Sequence, residues 1–311
     1  MNGAGEHQMK KGLKIVAIIT LVIMVGTGIF AAYVYRSVGN ALGIAFFPIE
    51  IEDIRGEESP LILGEDPISI LLLGIDNEGP DDPDQGRSDT IMFITINPEE
   101  RSTKILSIPR DTRTEIVGRG FYDRINHAYA FGGLEMAVNT IQNYLNVPVD
   151  YYMALDMVGI QMLVDLIGGV TVDNNALEFS KGGHHFPIGT LHLNGEQALA
   201  FMRMRKEDPR GDFGRQDRNR MVLEALVRNL SSVPITKYQT ILDTTGAHMR
   251  TDLTMNVILS LASNYRQALD RVDQGMLIGS GTMIDGRYFI IVPEEERLAA
   301  SNELRQHLGL E

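Results

Sequence analysis

Three short stretches of the chain gather the side chains that do chemistry. "LLLGIDNEG" carries Asp76 two residues beyond an apolar run, and "GRSDT" carries Arg87 and Asp89 just ahead of another. "SIPRDTR" sets Arg110, Asp111 and Arg113 behind a proline. From 203 to 220, "RMRKEDPRGDFGRQDRNR" holds six arginines in a chain whose formal net charge is −13. Two carboxylates at one place repel unless protonated or bridged by a cation, and all-oxygen donors suit Mg2+ or Ca2+. Arginine's planar fork matches phosphate oxygens. An acid pair beside gathered arginines therefore points to a multiply charged phosphate ligand.

The elements around these residues must bring them together. "ISILLLG" (68–74) has the composition of a strand buried on both faces, and "TIMFITIN" and "KILSIP" follow as neighbouring strands. If the first two pair, the loop between them brings Asp76 and Asp89 to one end of a sheet. The loop acids Asp81, Asp82 and Asp84 serve as well for a solvated turn as for a cation site. Pro109 ends the third strand, so Arg110 and Arg113 also fall at a sheet end, where α/β proteins bind ligands. "FMRMR" alternates with period two, so an extended segment puts Arg203 and Arg205 on one face and Met202 and Met204 on the other. Asp212, Arg215 and Asn219 follow helical spacing, with Arg218 beside them. The same helix turns apolar from Met221 to Leu230, so it packs on the core, and arginines in its first turns make an anion site. Arg210 and Arg220 read as solvated. His127, in "RINHAYAFGG", reads as a structural, hydrogen-bonded residue. There is no cysteine, no HExxH and no GxSxG, which removes thiol, zinc-protease and serine-hydrolase chemistry.

Farther along, "GGLEMAVNTIQNYLN" (132–146) reads as a helix, Gly168-Gly169 stops another, "GTMIDGRYFIIVP" is a hairpin around Asp285-Gly286, and "EEERLAASNELRQHL" closes the chain as a helix. Alternating strands and helices predict an α/β fold, a single layered α-β-α domain over 67–311 with a central mixed sheet. Ahead of it, residues 36–66 read as an extracytoplasmic stalk. Ile15 to Tyr35 is an uncharged apolar run of 21 residues, long enough for a helix to cross a bilayer core of ~30 Å. It is too long for a signal-peptide core, and no A-x-A cleavage site follows. Lys10, Lys11 and Lys14 in the tail 1–14 keep that end cytoplasmic. The expectation is a single-pass type II membrane protein. Removing the first 35 residues leaves 25 of the 28 basic and 40 of the 41 acidic residues. That is a poor surface for nucleic acid, whose binding rests on neutralising phosphates over a broad face.

Together, "LLLGID", "RSDTIMFITIN", "SIPRDT", "INHAYAFGG", "VDLIGGV" and "MRMRKEDPRGDFGRQDRNR" resemble the LytR-CpsA-Psr family, from about Ile68 to Leu230. The resemblance implies a Gram-positive cell-membrane enzyme that transfers a glycopolymer from a polyprenyl-pyrophosphate carrier to a peptidoglycan acceptor. It implies Mg2+ as cofactor, with Mn2+ as a substitute, held by Asp76 and Asp89. Arg110 matches the pyrophosphate-binding arginine of the family, and Arg203, Arg205, Asp212, Arg215 and Arg218 match its later polar cluster. Arg87, Arg113 and Asn219 complete the expected pyrophosphate contacts, although the family often has glutamine at position 219. Asp76, Asp89 and Arg110 are the expected catalytic set, either aspartate serving as base. An apolar tunnel between sheet and helices is expected for the prenyl chain. A hydrolase acting on the same lipid pyrophosphate, or a non-catalytic anchor or attenuator of wall polymers, would use the same residues differently.

Overall fold

The structure is a computed structural model, and it describes residues 45–55, 61–76, 86–230, 233–234, 237–269 and 271–310. Its centre is set by period-two burial. In β1 (Ile68–Asp76), Leu71, Leu73 and Ile75 enter one apolar cluster, while Ile68 and Leu72 enter the other. In β2 (Arg87–Asn97), Ile91 and Phe93 split from Met92, Ile94 and Ile96 in the same way. A strand that is apolar on both faces needs a layer on each.

Strands β1 and β2 pair antiparallel, as do β2 and β3 (Ser102–Ile108). β6 (Tyr151–Asp156) lies parallel to β1, and β12 (Val272–Met276) parallel to β3. With β11 (Met249–Thr251) on the far edge, the six-stranded order is β11-β6-β1-β2-β3-β12. The sheet is mixed, as expected; outside it β7 (Val170–Asn174) pairs with β10 (Gly189–Leu193) and β8 (Phe179–Lys181) with β9 (His184–Phe186). One face is covered by α1 (His127–Leu145) and α7 (Glu294–His307) through Val138, Ile141 and Leu304. The other is covered by α2 (Met157–Leu166), α3 (Gly195–Arg203), α4 (Asp212–Leu230), α5 (Tyr238–Thr245) and α6 (Met255–Ser263), through Ile160, Phe201, Leu223, Leu242 and Met255.

Local signals held where turn chemistry is strong. Gly168 and Gly169, at φ 89° and 99°, stop the chain after α2. Asp285 and Gly286, at φ 48° and 75°, join β13 (Ser280–Ile284) to β14 (Arg287–Ile291). Two readings need correcting. The helix expected from 132 begins at His127 and breaks at Gly132-Gly133, where the backbone leaves helical angles. The stalk expected over 36–66 is partly docked: Phe47 N donates to Thr251 O at 2.8 Å, and Arg55 forks onto Asp150 at 2.9 and 2.7 Å. Those polar contacts tie residues 45–55 to the domain although the stretch lacks periodicity. Among the described residues no helix is long and apolar enough to cross a membrane. The run from Ile15 to Tyr35 lies outside the described residues.

Asp252 stands beside that docked segment and accepts from Tyr152 N at 2.8 Å. Burial pushes its carboxyl from 3.8 up to about 6. A folded-state value above the unfolded one means that this group's contribution to stability is full below pH 4 and is lost as pH rises through 6. Asp252→Asn keeps an acceptor oxygen and cannot ionise. Its melting temperature relative to the parent protein should rise between pH 4 and pH 7.5; an unchanged difference across that range would refute the assignment.

Candidate active site

The site is built where β1, β2 and β3 end. Gly74 of β1 faces Thr90 and Ile75 faces Ser88, so Asp89 is an extra residue in β2. Such a bulge re-aims a side chain at a sheet end. Here it leaves Asp89 buried at 4% side-chain exposure and close to Asp76, which is 25% exposed.

Arg215, in the first turn of α4, spans both carboxylates. Its Nη1 donates to Asp76 Oδ2 at 3.1 Å and its Nη2 to Asp89 Oδ2 at 3.0 Å. Arg110, just beyond β3, donates from Nη1 to the same Asp89 Oδ2. Asp89 Oδ1 accepts from Asn126 Nδ2 at 3.2 Å. Four of the expected residues thus converge: Asp76, Asp89, Arg110 and Arg215. Behind Arg110, Asp111 is buried and faces Arg110 Nε at 3.7 Å and Arg124 Nη1 at 3.5 Å, and accepts from Gln216 Nε2 at 3.3 Å.

The remaining predicted residues are placed differently. Arg87 opens β2 opposite Asp76 and is exposed. Arg113 lies in β4 (Arg113–Glu115), with its guanidinium 4.5 Å from the Tyr122 ring of β5 (Tyr122–Arg124). The extended segment expected for Arg203 and Arg205 needs correcting, because α3 runs through Arg203 before Met204 becomes extended. An Asn194–Gln197 capping box starts that helix and Phe201 and Met202 bury its face, so local alternation is overridden. Met202 and Met204 are nonetheless buried, with Arg203 and Arg205 exposed. Arg218, expected at the ligand, is turned inward: Nη1 donates to Asp208 Oδ2 at 2.7 Å and Nη2 to Met204 O at 2.6 Å. Asn219 is buried, and its Oδ1 has no hydrogen-bond partner. Asp212 opens α4, and its side chain lies outside the described part of the structure, as do Asp81, Asp82 and Asp84. Arg220, read as solvated, pairs with Glu224 at 3.0 Å.

Two cavities lie under α4. A recess of about 310 Å3 opens beside Asp89 and Arg110, walled by Thr90, Ser107, Phe213 and Arg220. Between the sheet and α4 is an apolar cavity of about 530 Å3, lined by Ile70, Leu72, Ile94, Ile96, Leu226 and Ile241 among others.

Acid pair, arginines, recess and apolar cavity occur on one recognisable scaffold. The LytR_cpsA_psr family model matches residues 50–306. The chain belongs to the LytR-CpsA-Psr family. It is 44% identical over 310 residues to a protein of Halalkalibacterium halodurans named polyisoprenyl-teichoic acid–peptidoglycan teichoic acid transferase TagU, covering 97% of this chain and 100% of that one. The crystal structure of B. subtilis TagU is 39% identical, with a TM-score of 0.60 over 78% of this chain and 97% of that one. A structure of TagT bound to LIIa-WTA is 30% identical, with a TM-score of 0.69 over 85% and 100% of the two chains.

Two residues that shape this family member's site, Asn126 and Asp208, were given no role by the sequence reading, whereas His127 is hydrogen-bonded as expected. Asn126 supports Asp89, and its neighbour His127 gives Nδ1 to Asp123 Oδ2 at 3.0 Å. Burial lowers the His127 pKa against the opposing Asp123 hydrogen bond. Asp208 is the other. Burial alone would raise its carboxyl, but the Arg218 hydrogen bond and the Arg210 N–H outweigh that and lower it. Gly214 is needed beside it, since a Cβ there would come within 1.6 Å of Asp208 Oδ2. Asp208→Ala leaves Arg218 buried without its carboxylate, and breaking a buried pair from one side costs about 3–5 kcal/mol. Thermal unfolding should show a melting temperature lowered by several degrees; a change within one degree would deny the pair its structural role.

Proposed function

We propose that this chain transfers an anionic glycopolymer, teichoic acid or a similar wall polymer, from a polyprenyl-pyrophosphate carrier to peptidoglycan. The new link is a phosphodiester. The observation that carries this reading is the convergence of Arg215 and Arg110 on Asp76 and Asp89, next to a recess and an apolar cavity under one helix. Arginines in that position meet the charge of a pyrophosphate, and an apolar cavity takes a prenyl chain, which gains ~0.8 kcal/mol per buried CH2.

The acceptor, a sugar hydroxyl of peptidoglycan, attacks the glycan-side phosphorus, and polyprenyl phosphate leaves. Such transfer needs alignment and neutralised charge more than a covalent nucleophile. Arg215 and Arg110 are placed to move from carboxylate to phosphate oxygens when the ligand arrives. For the acceptor's proton, Asp76 is better disposed than Asp89. Both Asp89 oxygens are engaged, by Asn126 and by the two arginines, whereas Asp76 Oδ1 has no hydrogen bond among the described residues.

The same two carboxylates fit Mg2+, which binds through one or two carboxylates plus substrate phosphates and keeps several waters. Among the described residues no group of three or more His, Asp or Glu converges as a metal cage, so the substrate's phosphates would complete the set. When bound, Mg2+ supplies charge stabilisation at the phosphoryl oxygens. The apolar run from Ile15 to Tyr35, following Lys10, Lys11 and Lys14, supports a type II anchor with the domain outside the cell membrane.

The decisive experiment incubates the purified protein with synthetic lipid-linked polymer, Mg2+ and peptidoglycan fragments, and identifies products by mass spectrometry. A polymer–peptidoglycan adduct that forms only with acceptor is expected; polymer phosphate released at the same rate without acceptor would make it a hydrolase, and no turnover at all a binder. Asp89→Ala should abolish adduct formation without unfolding, and chelator should do the same to the parent protein. Arg215→Ala removes charge-assisted contacts of ~1.5–3 kcal/mol, which is roughly tenfold or more in rate. Arg215→Lys should restore only part, for lack of the fork. Full activity of either alanine variant would sink the mechanism.

A further inference from the structure

Beyond the donor site, the β4–β5 hairpin presents an aromatic and cationic face that the phosphate cluster does not use and that Phe131 of α1 backs from the edge of the core. Phe121 and Tyr122 are 44% and 56% exposed. Arg113 covers Tyr122, and Arg119 lies over Phe131 at 5.7 Å while donating to its backbone oxygen at 2.5 Å. Phe131 meets Phe121 edge-on at 5.6 Å and His127 edge-on at 5.9 Å. The Asp123–His127 hydrogen bond therefore fixes one end of a row of rings that emerges at the surface.

This face is wired to the phosphate cluster by its own backbone. Ile125 N donates to Thr112 O at 2.8 Å and Asn126 N to Arg110 O at 3.2 Å, and the Asn126 side chain holds Asp89. The hairpin therefore approaches Asp89 from the α1 side. Phe213, Gln216, Asp217 and Arg220 of α4 wall the recess, and Leu226 and Val227 of α4 line the apolar cavity. In phosphoryl transfer the attacking and leaving oxygens lie roughly in line. A donor whose prenyl phosphate leaves under α4 requires an attacker from the opposite side.

We propose that the exposed face of β4–β5, built from Phe121, Tyr122, Phe131, Arg113 and Arg119, is the subsite for the acceptor glycan of peptidoglycan. The proposal rests on the transferase reading above. Aromatic rings offer apolar faces to the C–H faces of amino sugars, with a large contact area at low entropic cost. Arg113 and Arg119 answer the carboxylates of lactyl groups and stem peptides, in a chain whose overall charge would repel them.

The test uses the full chain in detergent micelles and two soluble probes, a muropeptide oligosaccharide and a neutral chitin tetrasaccharide. Their binding is measured by calorimetry and the transfer kinetics beside it. Phe121→Ala with Tyr122→Ala should raise both Kd and KM for the muropeptide about tenfold and leave the donor's Kd unchanged. Arg113→Gln, a change at the surface, should erase the preference for muropeptide over chitin without altering the melting temperature. Unchanged muropeptide affinity in both folded variants overturns the subsite while leaving the transferase standing. An equal loss of donor affinity gives the face to the donor polymer and overturns it too. Should the parent protein bind muropeptide through these rings yet transfer nothing, the subsite stands and the transferase reading fails.

Discussion

Two carboxylates held at one end of a sheet are the constraint around which the rest is arranged. Asp76 and Asp89 would repel if left alone, and desolvation of Asp89 sharpens that repulsion. Arg215 resolves it by placing one guanidinium nitrogen on each. The solution is conditional on α4 arriving with its first turn over the ends of β1 and β2. It is also reversible, because the charge that reconciles the two acids is the charge a pyrophosphate would claim.

Holding α4 in that position is the work of the Asp208–Arg218 pair. Arg218 lies on the same helix as Arg215 but is turned inward, where it ties the helix to the 204–211 loop through Asp208 and Met204 O. The arginines of one stretch have therefore divided into a working cation and a buried fastener. A buried ion pair contributes little net stability compared with apolar packing, but it enforces one geometry because any misplacement strands a charge. Gly214 completes the arrangement by giving Asp208 room that a methyl group would fill.

Sequence patterns exposed the parts of this arrangement that depend on local rules. Short apolar runs located β1 to β3, and the Asp285-Gly286 and Gly168-Gly169 turns came from residues able to take positive φ. Asp76, Asp89, Arg110 and Arg215 were legible as candidates because each sits just past a strand, at the opening of one or near a helix start. What stayed hidden depends on distance. Nothing in "RMRKEDPRG" tells that Asp208 will be buried or that Arg218 will reach back to it, since that choice is made by tertiary packing. The β4–β5 hairpin is too short for periodicity to register, and β12, whose residues are mostly exposed, has no apolar signature because it lies at a sheet edge. Arg203 failed differently: its alternation with the methionines is real in burial but not in backbone, since the Asn194–Gln197 capping box had already committed the chain to a helix.

The bulge at Asp89 shows why register matters more here than composition. In an unbroken ladder Asp89 would keep the alternation of Ile91 and Phe93 and point into the cluster under α1. One extra residue opposite the Gly74–Ile75 step removes it from that sequence. Its Oδ1 then meets Asn126 from the α1 side, while its Oδ2 meets Arg215 from the α4 side. A single side chain thereby joins the two helical layers at the sheet end, where neither core continues. A change that healed the bulge would preserve every apolar contact in β2 below it and still separate the two acids. The fold could survive such a change; the geometry for phosphoryl transfer could not.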